Sequence, residues 1–356
     1  MNISIYSEID SLKSVITHCP GLEHYFINPI HLIEWELQNN TLEHNPDYLL
    51  FDDLIFPNKA IKEHQQLTNI LSHFIGPSNC IQITELIDDI INDKNIKKQL
   101  IEECFNLDNE LYNTPNQSDL LKNKNNKEIV FALLSGRDYK NNELIYFKHP
   151  IPNLIFTRDI AAVIGNTILV NWGKRKVRNR ENIIGKFIFK HHKLFSNSII
   201  YNFHEHHPNH SIEGGDIIVF GNNIVCIGIS ERTPKESINA LLPLIFNEGF
   251  SKVYAIDLPK RRSIMHLDTI FNRINKDEVI IYPPIFDPRN INYKPMGIYT
   301  ISPNKTLFEL EPSYDHFIDL LGNDFKKIKT INCGGDKHNN QIREQWTEGA
   351  NFFAIK

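Results

Sequence analysis

Thiols are scarce in this chain of 356 residues: Cys19, Cys80, Cys104, Cys226 and Cys333 form an odd, widely spaced set without one Cys-x-x-Cys pair. That excludes a disulfide framework and a paired-thiolate zinc site, and it fits a reducing cytoplasm. A dominant charge is missing too. The 38 Lys+Arg stand against 43 Asp+Glu, a formal net charge of −5, which gives no electrostatic footing for nucleic acid or an anionic membrane. No uninterrupted apolar run reaches the length of a bilayer crossing. The start, Met1-Asn2-Ile3-Ser4-Ile5-Tyr6-Ser7-Glu8, alternates like a strand and lacks the basic-then-apolar order of a secretory signal. The expectation is a cytoplasmic, enzyme-sized protein of one large domain or two ordinary ones.

What is present is punctuated β structure with one helical interruption. Ser14-Val15-Ile16-Thr17-His18 is a β-branched run stopped by Pro20-Gly21. The apolar run at residues 48–56 is broken by Asp52-Asp53. Helical spacing begins near Ala60 and ends at Gly76-Pro77. From Thr84 to Leu134 the texture changes: Ile96, Leu100, Cys104, Leu107 and Leu111 step by four, four, three and four, the stripe of an amphipathic helix. Strand signals return at Glu143-Leu144-Ile145-Tyr146-Phe147. These shifts predict a first module over residues 1–83, an inserted helical subdomain over 84–142, and further modules over 143–356.

Beyond Pro150 one pattern recurs. A strand, a Gly-Asn turn and a strand run from Asp159 to Val170; Asp216 to Ile227 repeats it around Gly221-Asn222-Asn223; a looser version runs from Asp268 to Tyr282. Helix-compatible stretches such as residues 235–246 follow, then an apolar strand at 253–256. Glu213-Gly214-Gly215-Asp216 is echoed by Cys333-Gly334-Gly335-Asp336. Such recurrence predicts a pseudo-symmetric array of modules. An Asp at each strand entry would converge on a common centre, where carboxylates repel unless a cation binds. A guanidinium suits that centre through its bidentate fork, and so does a divalent metal. His266, two residues before Asp268 on one expected strand, would face the same side and move protons. The His-rich run at 204–210 reads as a solvated loop rather than a metal site, and the basic run at 175–180, in a net-acidic chain, as leading into a solvated helix start rather than a nucleic-acid patch.

At these residues the sequence resembles the arginine deiminase family, among the guanidino-group-modifying enzymes of the pentein fold. The strings are Leu50-Phe51-Asp52-Asp53, Phe156-Thr157-Arg158-Asp159, Lys176-Val177-Arg178-Asn179-Arg180-Glu181, Glu213-Gly214-Gly215-Asp216, Ser230-Glu231-Arg232-Thr233, His266-Leu267-Asp268-Thr269 and Arg343-Glu344-Gln345-Trp346. The resemblance implies an α/β propeller of pseudo-symmetric modules with an inserted helical subdomain, the last module incomplete here. It implies that Asp159 and Asp268 clamp a substrate guanidinium, that His266 is general acid and base oriented by Glu213, and that Asn153, Arg178 and Arg232 hold the amino-acid end. The implied reaction takes L-arginine and water to L-citrulline and ammonia, without metal or organic cofactor and through a thiol adduct. The implied partner is that small molecule, neither nucleic acid nor membrane, and a homo-oligomer is compatible with it.

The family's nucleophilic Cys lies in a segment resembling Cys-Met-Ser-x-Pro near the C-terminus, and this sequence has no such segment. Residues 351–355 read as the first strand of a further hairpin. Cys333, in the place corresponding to Glu213, is the one alternative nucleophile with an argument, and a weak one, because no cation or helix start is evident to lower its pKa. Two rivals therefore stand beside an arginine deiminase-type thiol hydrolase: a non-catalytic arginine-binding relative, and a metal-dependent hydrolase using converging Asp and His.

Overall fold

The computed structural model describes residues 3–38, 40–45, 47–49, 54–286, 295–325 and 327–355. The Asp52-Asp53 motif lies outside the described residues. The chain is mixed α/β and divides into two compact units: Lys13–Ile160 with Arg175–Asn197, and Asn2–Leu12 with Ala161–Lys174 and Ser198–Lys356.

The first unit is mainly helical. Strands Val15–Thr17 and Cys80–Gln82 pair in parallel, joined through helix Pro57–Ile75. That helix stops where Gly76 takes φ +85°, as the Gly-Pro pair predicts. Helices Ile83–Ile90, Lys94–Tyr112, Ser118–Lys122 and Asn126–Ser135 fill the predicted helical stretch. Leu100 and Cys104 of the predicted stripe are fully buried, and helix Lys94–Tyr112 packs against helix Asn179–His191. Burying such side chains stabilises the unit by about 1.5–3 kcal/mol each. The strand expected at 143–147 is instead a loop with a single bridge between Arg137 and Ile145. Its Tyr146 and Phe147 are both buried. They are apolar because they pack, not because they pair.

The second unit contains the repeat. Ala161–Ile164 and Thr167–Val170 form a hairpin, and Ile199–Asn202 adds in parallel. Ile217–Gly221 and Ile224–Ile229 form the next, with Lys252–Asp257 in parallel and Ile298–Ile301 antiparallel beyond it. Phe271–Arg273 and Glu278–Ile281 form the third, with Lys329–Asn332 in parallel. The turns work as their residues demand: Gly165 has φ +58°, and Asn222 and Asn223 have φ +51° and +60°, the left-handed region that Gly and Asn tolerate. Alternation along the middle sheet feeds two cores. Ile217, Val219, Val225, Ile227, Val253 and Ala255 enter one cluster, whereas Ile218, Phe220, Cys226, Tyr254 and Ile256 enter the other.

Three expectations are corrected here. Asp159, Asp216 and Asp268 do not begin strands; each sits in a short helical turn before one, Thr157–Ile160, Gly214–Asp216 and Leu267–Thr269. The two Gly-Gly-Asp strings have unlike backbones, because Gly334 and Gly335 take φ +72° and +69° whereas Gly214 and Gly215 remain outside the left-handed region. Residues 351–355 form no strand; Phe352 and Phe353 point to solvent, so no apolar face there is pressed into pairing.

Candidate active site

In the second unit, three segments place charged groups together in a dry environment. Glu213 leaves the strand region in extended conformation (φ −124°, ψ 142°) and is fully buried. Its Oε2 is 2.8 Å from His266 Nε2. Its Oε1 accepts from the Lys174 backbone N–H at 2.9 Å and from Arg232 Nη1 at 3.4 Å. A carboxylate held by a backbone donor and a guanidinium can fix an imidazole without moving itself. The predicted His266–Glu213 pairing is therefore what the side chains form.

His266 and Asp268 are 6% and 3% exposed, but they do not share a strand. His266 is extended and precedes the turn Leu267–Thr269 that carries Asp268. Both still bear on one point: a Cβ added at Gly215 would lie 2.5 Å from His266 Nδ1 and 3.0 Å from Asp268 Oδ2. Only glycine leaves that room. The turn is closed by Thr269 Oγ1 donating to the His266 carbonyl at 2.7 Å, and Asn272 Nδ2 donates to the Asp268 carbonyl at 3.4 Å.

Arg232 is carried by the loop after strand Ile224–Ile229. Ser230 Oγ accepts from the N–H of Arg232 and of Thr233, both at 3.0 Å, and Ser211 Oγ donates to the Arg232 carbonyl at 2.7 Å. The Arg232 head thus lies over Glu213 and beside Met265 Sδ at 3.6 Å.

In the first unit, Arg178 reaches the sites predicted for it differently. Its Nη1 donates to Asp159 Oδ2 at 2.8 Å, its Nε and Nη2 donate to Glu181 Oε2 at 3.1 and 3.0 Å, and its Nη2 donates to the Asn153 carbonyl at 3.3 Å. The three predicted residues of this unit, Asn153, Asp159 and Arg178, are therefore brought together, with Glu181 as a partner that sequence reasoning missed. Arg180 was missed as well. It is 4% exposed and acts as an internal strut.

Four of the five thiols are shifted away from the reactive form. Cys333 packs with Ile280 and Ala350, and burial, with Glu344 adding, pushes its pKa up to about 11. Burial raises Cys104 to about 12 and Cys226 well above the usual range. It also raises Cys19, with Glu23 adding. A thiolate is the reactive form, so these positions hold inert thiols near neutrality. The His-rich run is a short helix, Phe203–His206, with rings engaged: Trp172 stacks on His204 at 3.7 Å, and Tyr201 stacks on His206 at 4.5 Å.

Comparison with known proteins bears on this geometry. The family model "Arginine deiminase" matches residues 47–356. Arginine deiminase of Mycoplasma capricolum is 31% identical over 366 residues, covering 99% of this chain and 85% of that protein. Arginine deiminase of Streptococcus agalactiae is 30% identical over 378 residues, covering 99% and 86%. Among solved structures, the N-terminal domain of ArgZ, a cyanobacterial arginine dihydrolase bound to product, matches 40% of this chain and 48% of its own at 23% identity and a TM-score of 0.32. DDAH from Pseudomonas aeruginosa with citrulline matches 55% and 73% at 13% identity and a TM-score of 0.33. Among the described residues, no helix is long and apolar enough to cross a membrane.

Proposed function

The chain belongs to the arginine deiminase family, and from that premise we propose that it binds L-arginine in the cytoplasm through a site built for guanidine hydrolysis. The observation that carries the reading is the buried His266–Glu213 pair at 2.8 Å beside Asp268. Asp268 grips the guanidinium, a delocalised cation suited to a buried carboxylate. His266 gives a proton to the departing ammonia and, then neutral, takes one from the attacking water; Glu213 stabilises the imidazolium present before the first step and after the second. Arg232 holds the α-carboxylate. Roles for Asn153, Asp159 and Arg178 are proposed on family membership alone: Asn153 and Arg178 for the amino-acid end, Asp159 for the guanidinium. A propeller of repeated modules is proposed as the larger architecture, on the recurrence of a hairpin plus a parallel third strand.

Turnover by the family's chemistry requires a thiolate that adds to the guanidinium carbon before ammonia leaves. The raised thiol pKa values of Cys104, Cys226 and Cys333 do not supply it. This favours a second reading, arginine binding without turnover by this polypeptide. Incubation with L-arginine and measurement of citrulline, alongside calorimetric binding, separates the two. Citrulline formation supports the hydrolase; binding alone supports the binder; neither outcome, repeated with agmatine, sinks both.

The carboxylate role of Arg232 has its own test. Arg232→Ala should weaken L-arginine binding about tenfold or more, the scale of a charge-assisted hydrogen bond. Agmatine, which lacks the carboxylate, should lose only a few-fold. The ratio cancels any structural damage common to both ligands, so equal losses refute the role.

A further inference from the structure

One buried acid of the Glu213-Gly214-Gly215-Asp216 string has no part in the chemistry above. Asp216 is fully buried. Its Oδ2 accepts from Ser230 Oγ at 2.6 Å, and its Oδ1 accepts from the Leu267 backbone N–H at 3.1 Å. These two bonds go to different segments. Ser230 is the residue whose hydroxyl accepts the Arg232 and Thr233 amides. Leu267 is the link between His266 and Asp268. A single carboxylate therefore spans from the strand entry at Ile217 to both turns that carry candidate site residues. Gly228 leaves the room this carboxylate occupies: a Cβ there would meet Asp216 Oδ1 at 2.5 Å and Leu267 Cβ at 3.1 Å.

We propose that Asp216 is a positioning residue of the site: its carboxylate fixes the His266–Asp268 turn and the Arg232 turn from one point. The inference rests on the functional reading given above for His266, Asp268 and Arg232. The donor set requires an ionised acid. Ser230 Oγ already accepts two amides, so its own hydrogen must point at Asp216; the Leu267 N–H is a second donor, and the Thr233 hydroxyl, which accepts the Glu213 amide, is a further one. A neutral acid would add another hydrogen with no acceptor among these partners. The titratable groups facing Asp216 are Glu213 on its own segment, His266, and Lys260 from the following loop; Arg232 and Asp268 lie on the turns it holds.

Ionisation here opposes folding. Burial raises Asp216 to about 6, against the partial relief given by His266 and by the hydroxyl donors. Because the folded-state value exceeds the unfolded one, the folded protein binds the proton more tightly. Stability therefore falls as pH rises from about 4 to about 6 and stays lower above that. A group that costs stability at neutral pH yet is tied at two ends is placed for geometry.

The test uses the full chain with Asp216→Asn and L-arginine as probe. Asn keeps the size but loses the charge and one acceptor. The expected result is a Tm at pH 8 equal to or above wild type, with the fall in Tm between pH 4 and 6 diminished. Arginine affinity should drop about tenfold or more, and the His266 imidazole titration, followed by NMR, should move to lower pH because a nearby negative charge is gone. Arginine affinity within a factor of about two of wild type, together with an unmoved His266 titration, overturns the proposal. Should Asp216→Asn not fold, Ser230→Ala removes one of the two ties and is read by the same affinity and titration. If the wild-type protein does not bind arginine, the functional reading fails by itself; the His266 titration and the Leu267 amide resonance then decide the positioning role, a shift of both supporting it and constancy of both refuting it.

Discussion

Asp268→Asn is expected to abolish most arginine binding, a loss of about 3–5 kcal/mol, or two orders of magnitude and more in Kd. The size follows from burial. An exposed ion pair is worth about 0–1 kcal/mol because water screens it and both side chains must be ordered. Asp268 is 3% exposed, so a guanidinium docked on it surrenders its hydration, and removal of the opposing charge leaves that loss uncompensated. The variant should stay folded. Its shape is kept, and two bonds at its turn, which accept on the backbone carbonyls of His266 and Asp268, are untouched by the substitution. Calorimetry with L-arginine on variant and wild type, with Tm as the control, reads both. Unchanged affinity would place guanidinium recognition elsewhere in the molecule.

The largest expected loss of stability lies at Arg180, in the first unit. Its Nε donates to the Leu133 carbonyl at 3.0 Å, its Nη2 donates to the His149 carbonyl at 2.6 Å, and its Nη1 is 3.8 Å from Asp108. The guanidinium also lies over the Phe147 ring at 4.5 Å. Arg180→Ala would strand a buried carboxylate and two carbonyls at once, costing about 3–5 kcal/mol. That corresponds to a Tm lower by about 10 °C. Arg180→Lys should rescue little, because one ammonium cannot reach three directions held by a planar fork. Thermal unfolding of the three proteins decides it; a loss under about 1 kcal/mol for Arg180→Ala would show the strut to be replaceable by water.

Which features could be read from the residues, and which could not, has a physical pattern. The hairpins were legible because their signals are local: Gly165, Asn222 and Asn223 supply the left-handed backbone a two-residue turn needs. The helix Lys94–Tyr112 was legible because its apolar residues repeat at the helical period. The His266–Glu213 pairing came only with the family resemblance, since no local rule joins residues 53 positions apart. Arg180 was illegible for another reason. Within Arg175-Lys176-Val177-Arg178-Asn179-Arg180 every basic residue carries the same sequence signal, yet Arg175 stacks on Tyr48, Arg178 pairs with Asp159 and Glu181, and Arg180 is interred. Only tertiary packing separates them. The loop at 143–147 misled in the same way, because an apolar run can be filling a core rather than pairing with a neighbour.

The double-sided burial of the middle sheet has a dynamic consequence. Its central amides sit in ladders whose side chains anchor two cores at once, so exposing them to solvent means dismantling both. Hydrogen exchange at Val225, Ile227, Val253 and Ala255 should then proceed only by opening of the whole second unit. The amides of Arg232 and Leu267 are held instead by single side-chain oxygens, Ser230 Oγ and Asp216 Oδ1. They need only a turn to lift, and should exchange at lower opening free energy. Uniform protection across both sets would contradict this. The groups proposed to handle the substrate thus ride on the soft rim of a hard sheet, able to adjust locally while the wall behind them stays shut.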